Sequence, residues 1–367
     1  MKLNENEKKV LAILKEDPYV SQQFIADQLQ LSRPAIANLI SGLQDKGYIL
    51  GKPYMLKTEA YITCIGGANL DYTFRLEDPF TLGTSNPVQS SISYGGVIRN
   101  VADNLSRLNH KVSLMTVLGD DLSGEDLLSY SRKTMEVFAC DKIKNETTGS
   151  YYAVIDKNGN MNVGLADMSI NRHMNRSWIL EHKRHLNMSD WLIADTNISK
   201  DGLEALIEYA ALEHKKLAII GVSGPKMKHV PDHIKGVEII ICNLDESQSY
   251  FKTDEQNLDA LIQMWIKKDI KKVIITNGKN GSIYYDGSQI GYQKAYIVNE
   301  DRVVDVTGAG DAFSSAVLHG LIKGETLAQS IKYGAINSSL TIQSSYAVNP
   351  NISINLIKKE LKKYENI

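Results

Sequence analysis

Long apolar runs are missing from this chain of 367 residues. No stretch approaches the roughly 20 residues needed to cross a bilayer, which argues against a membrane-spanning helix. Cysteine is scarce. Cys64, Cys140 and Cys242 are too few and too scattered for a disulfide framework or a zinc site, and their surroundings predict free, buried thiols. Net charge is nearly absent too, with 41 Lys and Arg against 43 Asp and Glu, so the whole chain exerts no bulk attraction on nucleic acid. The N-terminus, Met1-Lys2-Leu3-Asn4-Glu5, leads into a charged amphipathic stretch and not a signal peptide, and a cytoplasmic protein is expected. What remains is ordinary globular composition, 43% hydrophobic and 23% charged, in a length that holds one large domain and one small one.

Residues 1–57 read differently from the rest. Val10, Leu11 and Leu14 fall at helical spacing until Asp17-Pro18 breaks the pattern. Ser21 opens a second helical stretch carrying Phe24, Ile25 and Leu29, and Ser32 caps a third carrying Ile36, Leu39, Ile40 and Leu43. Pro34 sits in that helix's first turn, where its missing N–H is harmless. Gly47 ends the helix, and Tyr48–Leu56 reads as two short strands about Gly51-Lys52-Pro53. Three helices and a hairpin are similar to a winged helix-turn-helix of bacterial regulators. DNA would meet Ser32, Arg33, Ala35 and Asn38 on the third helix. The electrostatic footprint is weak, eight Lys or Arg against seven Asp or Glu through residue 60, and a packing or oligomerisation module is the alternative.

From Tyr61 to the C-terminus, residues 61–367, apolar strand-like runs alternate with helical ones. Strands are expected at Tyr61–Ile65, Val112–Leu118, Trp191–Ala194, Lys216–Val222, Val237–Cys242 and Lys272–Thr276, with helices at Leu203–Leu212, Leu258–Trp265 and Leu327–Leu340. This alternation predicts a mostly parallel sheet covered on both faces, with ligands at the carboxyl ends of its strands. Shorter antiparallel segments near 72–93 and 150–165 predict a small β-sheet lid.

The chemistry concentrates in Val304-Asp305-Val306-Thr307-Gly308-Ala309-Gly310-Asp311-Ala312-Phe313. Small residues before a helix start expose backbone N–H groups to an anion. A carboxylate in that turn repels phosphate, so Asp311 makes sense as the base that takes a proton from an attacking hydroxyl. The plainer alternative is an Asp favoured at a helix start. After the first strand, Gly66-Gly67-Ala68-Asn69-Leu70-Asp71 offers Asn69 and Asp71 to sugar hydroxyls, or simply makes an Asx turn. Tyr94-Gly95-Gly96-Val97-Ile98-Arg99-Asn100 opens a helix in which Gly95 and Gly96 lie flat against a sugar and Asn100 reaches a hydroxyl.

The D-x-T-G-A-G-D string resembles the second signature of the ribokinase-like (PfkB) family of sugar and nucleoside kinases. The resemblance runs from about Tyr61 to the C-terminus, with motifs in the family's order. It implies a ribokinase-like three-layer α/β/α sandwich with a small β-sheet lid, preceded here by the winged helix-turn-helix domain, and it implies ATP and Mg2+ as cofactors. Asp311 would be the catalytic base, and the Gly308, Ala309 and Gly310 amides the anion hole. Asn243-Leu244-Asp245-Glu246 is similar to the family's N-x-x-E motif, so Asn243 and Glu246 would organise phosphate and water-bound magnesium. Thr276-Asn277-Gly278-Lys279-Asn280-Gly281 looks like its nucleotide loop, through Thr276, Gly278 and Gly281, with Thr307 beside the phosphates. Asn337 would line the adenine pocket. Asp305 would serve a monovalent cation such as K+. Val306 stands where Thr is usual, and we read its side chain as pointing away from the site.

Within the family, four segments look like bacterial pseudouridine kinases: Ser85-Asn86-Pro87, Gly95–Asn100, Ala166–Ile170 and Ala194–Ser199. The closing run Ser345–Pro350 fits too. That resemblance implies phosphorylation of the 5′-hydroxyl of pseudouridine, with Asp167 or Asn197 toward the uracil edge. Inosine, guanosine, another ribonucleoside or a free sugar stay open, and sugar phosphates are disfavoured because Arg99 is the only obvious nearby cation. A DNA-binding regulator that keeps the fold as a nucleoside sensor is the rival of another class, opposed by the intact Asp311. By analogy with relatives, a homodimer formed through the small sheet is expected.

Overall fold

A computed structural model describes residues 3–17, 20–50 and 60–365. At its N-terminus, α1 (Glu5–Glu16), α2 (Gln22–Leu29) and α3 (Arg33–Asp45) pack Val10, Leu14, Ile25, Ile36, Ile40 and Leu43 into a core of their own. Each helix begins where a polar side chain meets an otherwise unpaired N–H. Asn4, Ser21 and Ser32 accept from Glu7, Phe24 and Ala35 at 2.9, 3.2 and 3.3 Å. Pro34 lies in the first turn of α3 as expected. Of the expected hairpin, residues 51–56 lie outside the described residues.

The rest of the chain begins with β1 (Tyr61–Ile65), β2 (Asn69–Leu76), β3 (Val88–Gly95), α4 (Val97–Arg107), β4 (Lys111–Met115) and β5 (Val117–Gly119). Next come α5 (Leu122–Ser131), β6 (Asp141–Ile143), β7 (Ser150–Ile155), β8 (Met161–Asp167), α6 (Arg176–Glu181), α7 (Lys183–Asn187) and β9 (Trp191–Asp195). Then α8 (Lys200–Leu212), β10 (Lys216–Ile220), β11 (Val237–Asn243), α9 (Leu244–Phe251), α10 (Leu258–Ile266) and β12 (Val273–Thr276) follow. The chain closes with β13 (Ser282–Tyr285), β14 (Ile290–Gln293), α11 (Ala309–Ile322), α12 (Leu327–Thr341) and α13 (Ile354–Glu365).

Eight strands form the main sheet in the order β14-β13-β12-β11-β10-β9-β1-β4. Every pairing from β4 to β12 is parallel, and β13 and β14 close one edge antiparallel. The central strands are apolar on both faces because both faces are covered. Leu192, Ala194, Leu217, Ile219, Ile240 and Val273 face one buried cluster together with α8 and α10 residues. The alternate positions Ile193, Ala218, Ile239, Ile241 and Ile274 face another, shared with α4, α11 and α12. This is the expected three-layer sandwich.

A four-stranded sheet, β3-β2-β7-β8, stands off the main one as the lid. Two details differ from expectation. The run Val112–Leu118 is two strands, because Val117–Gly119 pairs with β6 outside the main sheet. The lid is mixed: β2 and β7 run parallel, since β7 returns through a crossover and not a hairpin. Its strands also reach further than expected, so Asn69, Asp71 and Asp167 are lid residues.

The N-terminal helices touch the larger body through α3 and α7. Arg184 pairs with Asp45 at 3.0 Å, and Asn187 donates to the Asp45 carbonyl. Gly47 has φ +74°, and a side chain there would meet the Asn187 carbonyl at 2.4 Å, so both shape and conformation call for glycine. A cavity of about 960 Å³ lies at this junction, away from the strand ends discussed next.

Candidate active site

The carboxyl ends of β1, β9, β10, β11 and β12 and the start of α11 together form the cleft on which the sequence motifs converge. Gly308 occupies the left-handed region, φ +77°, immediately before α11, and a Cβ there would lie 2.1 Å from the Ala347 carbonyl oxygen. Only glycine fits both demands. No atom comes within 4 Å of a Cβ built on Gly310, so the start of α11 is open on that side, while the Ala309 N–H donates to the Val306 carbonyl at 3.2 Å. Asp305 turns back instead, its Oδ1 accepting the Thr307 N–H at 2.8 Å. Asp305, Val306 and Thr307 are exposed.

Asp311 follows in the first turn of α11, and its Oδ2 accepts from Asn100 Nδ2 at 2.7 Å. The amide of Asn100 is itself oriented, because its Oδ1 accepts from Arg99. Arg99, 2% exposed, is spent within the protein: it donates to the carbonyls of Tyr94 at 2.9 Å and Gly95 at 3.2 Å, and pairs with Asp103 at 3.2 Å. Burial pushes the Asp311 carboxyl up to about 7, against the Asn100 hydrogen bond and Arg99 and with help from Asp195 and Glu246. A carboxylate that titrates near neutrality suits a general base.

On the lid side, Asn69 Nδ2 donates to Asp71 Oδ1 at 2.7 Å, and burial raises the Asp71 carboxyl. A side chain on Gly95 would sit 2.1 Å from Asp71 Oδ2, and one on Gly96 2.3 Å from the Gly67 carbonyl, so Gly95 makes room for β2 and Gly96 for the turn that leads into it. Asp195, at the end of β9, is a residue whose role the sequence did not disclose. Fully buried and with its carboxyl raised by that burial, it accepts from the Gly67, Ile98 and Asn197 N–H groups and from Asn197 Nδ2. One carboxylate thus ties β9 to the turn after β1 and to the start of α4. Asp167 is exposed at the end of β8, its carboxylate accepting from the Thr147 and Ser169 hydroxyls at 3.5 and 3.2 Å.

At the other end of the cleft, Asn243 and Glu246 form a reciprocal capping box on α9, each side chain accepting the other's N–H at 2.8 Å. Glu246 is buried, its carboxyl raised for that reason, and packs where a side chain on Gly221 would be 2.2 Å away. Thr276 is half-buried, and its hydroxyl lies 3.5 Å from the Cys242 carbonyl. Gly278 and Gly281 adopt φ +50° and +88° in the turn between β12 and β13. Asn337 departs from expectation. It is fully buried, donating to the Ala312 carbonyl at 2.8 Å, so it ties α12 to the first turn of α11 and presents no surface to an adenine.

Comparison with known proteins agrees with this layout. Residues 59–354 match the pfkB family carbohydrate kinase model, and residues 3–49 match a winged helix-turn-helix DNA-binding model. The chain is 27% identical over 303 residues to the pseudouridine kinase of Escherichia coli K12, covering 82% of this chain and 96% of that protein. It is 25% identical over 355 residues to the same organism's uncharacterized sugar kinase YeiI, covering 96% and 97%. A carbohydrate kinase structure from Agrobacterium tumefaciens superposes with a TM-score of 0.72 at 26% identity, covering 83% of this chain and 97% of that one. With its match spanning the sandwich, the lid and the Asp311 turn, the chain belongs to the pfkB family of carbohydrate kinases and carries a winged helix-turn-helix at its N-terminus.

Proposed function

We propose that this chain transfers the γ-phosphoryl group of ATP to the 5′-hydroxyl of pseudouridine. The observation that carries the reading is the placement of Asp311, oriented by Asn100 and poised near neutrality, in the first turn of α11 beside the open side at Gly310. In this reading Asp311 takes the hydroxyl proton, and the Gly308 and Gly310 amides, joined by that of Ala309 once it leaves the Val306 carbonyl, stabilise charge on the transferred phosphoryl oxygens. Asn69, Asp71, Gly95, Gly96 and Asn100 hold the ribosyl part. The Thr276–Gly281 turn and Thr307 hold the nucleotide, and Asp305 serves a monovalent cation.

Magnesium, when bound, neutralises the ATP phosphates, and Glu246 suits a water-mediated contact because the capping box engages only its Oε2. Arg99 is committed to internal partners and so is not an anchor for a phosphorylated acceptor. The pseudouridine kinase relative supports the base, while a 24% identical guanosine-inosine kinase from Exiguobacterium acetylicum keeps other ribonucleosides in the test. One lid face aligns Tyr72, Ile92, Tyr152 and Leu165 across four strands, with Ile92 58% and Leu165 60% exposed. That apolar face supports a homodimer.

A second reading rests on α3, where Ser32, Arg33 and Asn38 are exposed: the chain also binds DNA, with the nucleoside as signal. ADP release measured with pseudouridine, uridine, inosine, guanosine and ribose tests the main reading. Pseudouridine should give the highest kcat/KM, and silence with every acceptor would leave the regulator reading in its place.

A further inference from the structure

After β10 the chain makes a short helical turn, Gly224–His229, pressed so closely onto α9 that a side chain on Gly224 would lie 2.4 Å from Ser249 Oγ. That packing sends the half-buried Lys226 toward Asn197, whose Oδ1 accepts from its ammonium. Asn197 cannot flip, because its Nδ2 donates to Asp195 Oδ2 at 2.9 Å. Its oxygen therefore also faces Asn171 Nδ2, at 3.2 Å, at the foot of the lid. Asn197 in turn abuts the turn from which Asn69 and Asp71 depart, since a side chain on Gly67 would lie 2.4 Å from Asn197 Nδ2. The cluster adjoins the acceptor end of the cleft.

An ammonium has three N–H donors, and Lys226 uses one on Asn197. Asn171 donates through Nδ2, while its side-chain oxygen accepts from no protein group among the described residues. The groups left over are a charged donor and a neutral carbonyl acceptor on adjoining side chains. Their complement is a planar O=C–N–H edge, the lactam or imide edge of a nucleobase. Adenine has no ring carbonyl to meet the lysine, and a free sugar has no such edge.

We propose that Lys226, with Asn171 and held by Asn197, reads an O=C–N–H edge on the non-sugar part of the acceptor and thereby selects among nucleosides. This rests on the acceptor reading above and names the group that would enforce it. An uncompensated loss of a charged hydrogen-bond donor corresponds to about a tenfold to hundredfold change in affinity.

The test uses the full chain, wild type against Lys226→Met and Lys226→Arg, with ADP release for pseudouridine, inosine, adenosine, ribose and a sugar phosphate. Lys226→Met should raise KM at least about tenfold for pseudouridine and inosine, leave adenosine, ribose and ATP within about twofold, and be partly rescued by Lys226→Arg. An equal rise for all acceptors, a rise for ATP alone, or an effect confined to the sugar phosphate would overturn the assignment. Calorimetric binding of pseudouridine to both proteins separates the two readings. Lys226-dependent binding without turnover supports this site and refutes phosphoryl transfer. Turnover of ribose with no nucleoside bound does the reverse. Should Lys226→Met fail to fold, Asn171→Ala must weaken pseudouridine and spare ribose, and an equal effect on both counts against the proposal.

Discussion

The two ends of the cleft are built on different principles. At the acceptor end, side chains are buried or half-buried and already hydrogen-bonded to one another: Arg99 to Asn100 to Asp311, Asn69 to Asp71, and Asp195 to three main-chain N–H groups and the Asn197 amide. At the nucleotide end, the recognisable parts are backbone. Glycines at φ +50°, +77° and +88° shape turns whose residues are mostly exposed, although Gly281 and Glu246 are buried. The difference fits the two ligands. A triphosphate is one anion to be met by N–H groups in nearly any site, whereas a particular alcohol must be told from its analogues by groups that are costly to leave unpaired.

Four changes sharpen or break this contrast, taken from the largest expected effect to the smallest. Gly308→Val places a branched side chain at φ +77° against the Ala347 carbonyl, so the backbone must shift and the N–H array with it. We expect kcat to fall by about 10²–10³ with pseudouridine binding by calorimetry retained, and normal turnover would show that the backbone there is not used.

Asn100→Ala acts at the acceptor end and should lower kcat/KM by about tenfold to hundredfold, the worth of a hydrogen bond to a charged group. It also moves the pH profile. Activity of the wild type should rise as pH passes about 7 and Asp311 loses its proton. The Asn100 hydrogen bond holds that carboxyl down, so its removal shifts the rise to higher pH. A profile that stays in place would detach Asp311 from the titration.

Thr276→Ala tests the nucleotide end, where the 3.5 Å contact of the hydroxyl is weak. KM for ATP should rise by less than about tenfold, with the acceptor KM unchanged. A larger effect on the acceptor would erase the division between the two ends.

The smallest effect is on stability. His110 and His319 share a buried contact at 2.8 Å, and burial pushes them down to about 3 and about 4. Above pH 6.5 both rings are neutral, folded or unfolded, and no penalty exists. As pH falls from 6.5 toward 4, the unfolded chain takes up protons that the folded one resists, so stability declines. Replacing both with Gln should flatten that decline in thermal melts without changing kinase rates.

The same contrast explains what the sequence disclosed. Backbone-based motifs are local: glycine runs before a helix and caps such as Ser21 and Ser32 can be read along the chain, as can strands with apolar residues on both faces. The sandwich, the three N-terminal helices and the Asp311 turn were legible for that reason. The acceptor end is assembled from residues far apart in sequence. Asn100 and Asp311 are 211 positions apart, and Asp195 is 128 from Gly67. Nothing in the spacing of Asp195 or Lys226 announces those contacts. Asn337 failed in the opposite sense, since a polar residue on a helix reads as exposed until the packing of α12 on α11 is known. The Asn243–Glu246 spacing carries a plain structural role as a capping box, whatever it does for magnesium.

The central claim is that Asp311 removes the acceptor's proton, and single-turnover phosphorylation of pseudouridine by Asp311→Asn tests it most directly. The account predicts a rate lower by about 10²–10⁴ with nucleoside affinity nearly unchanged. A rate within about tenfold of wild type would contradict it.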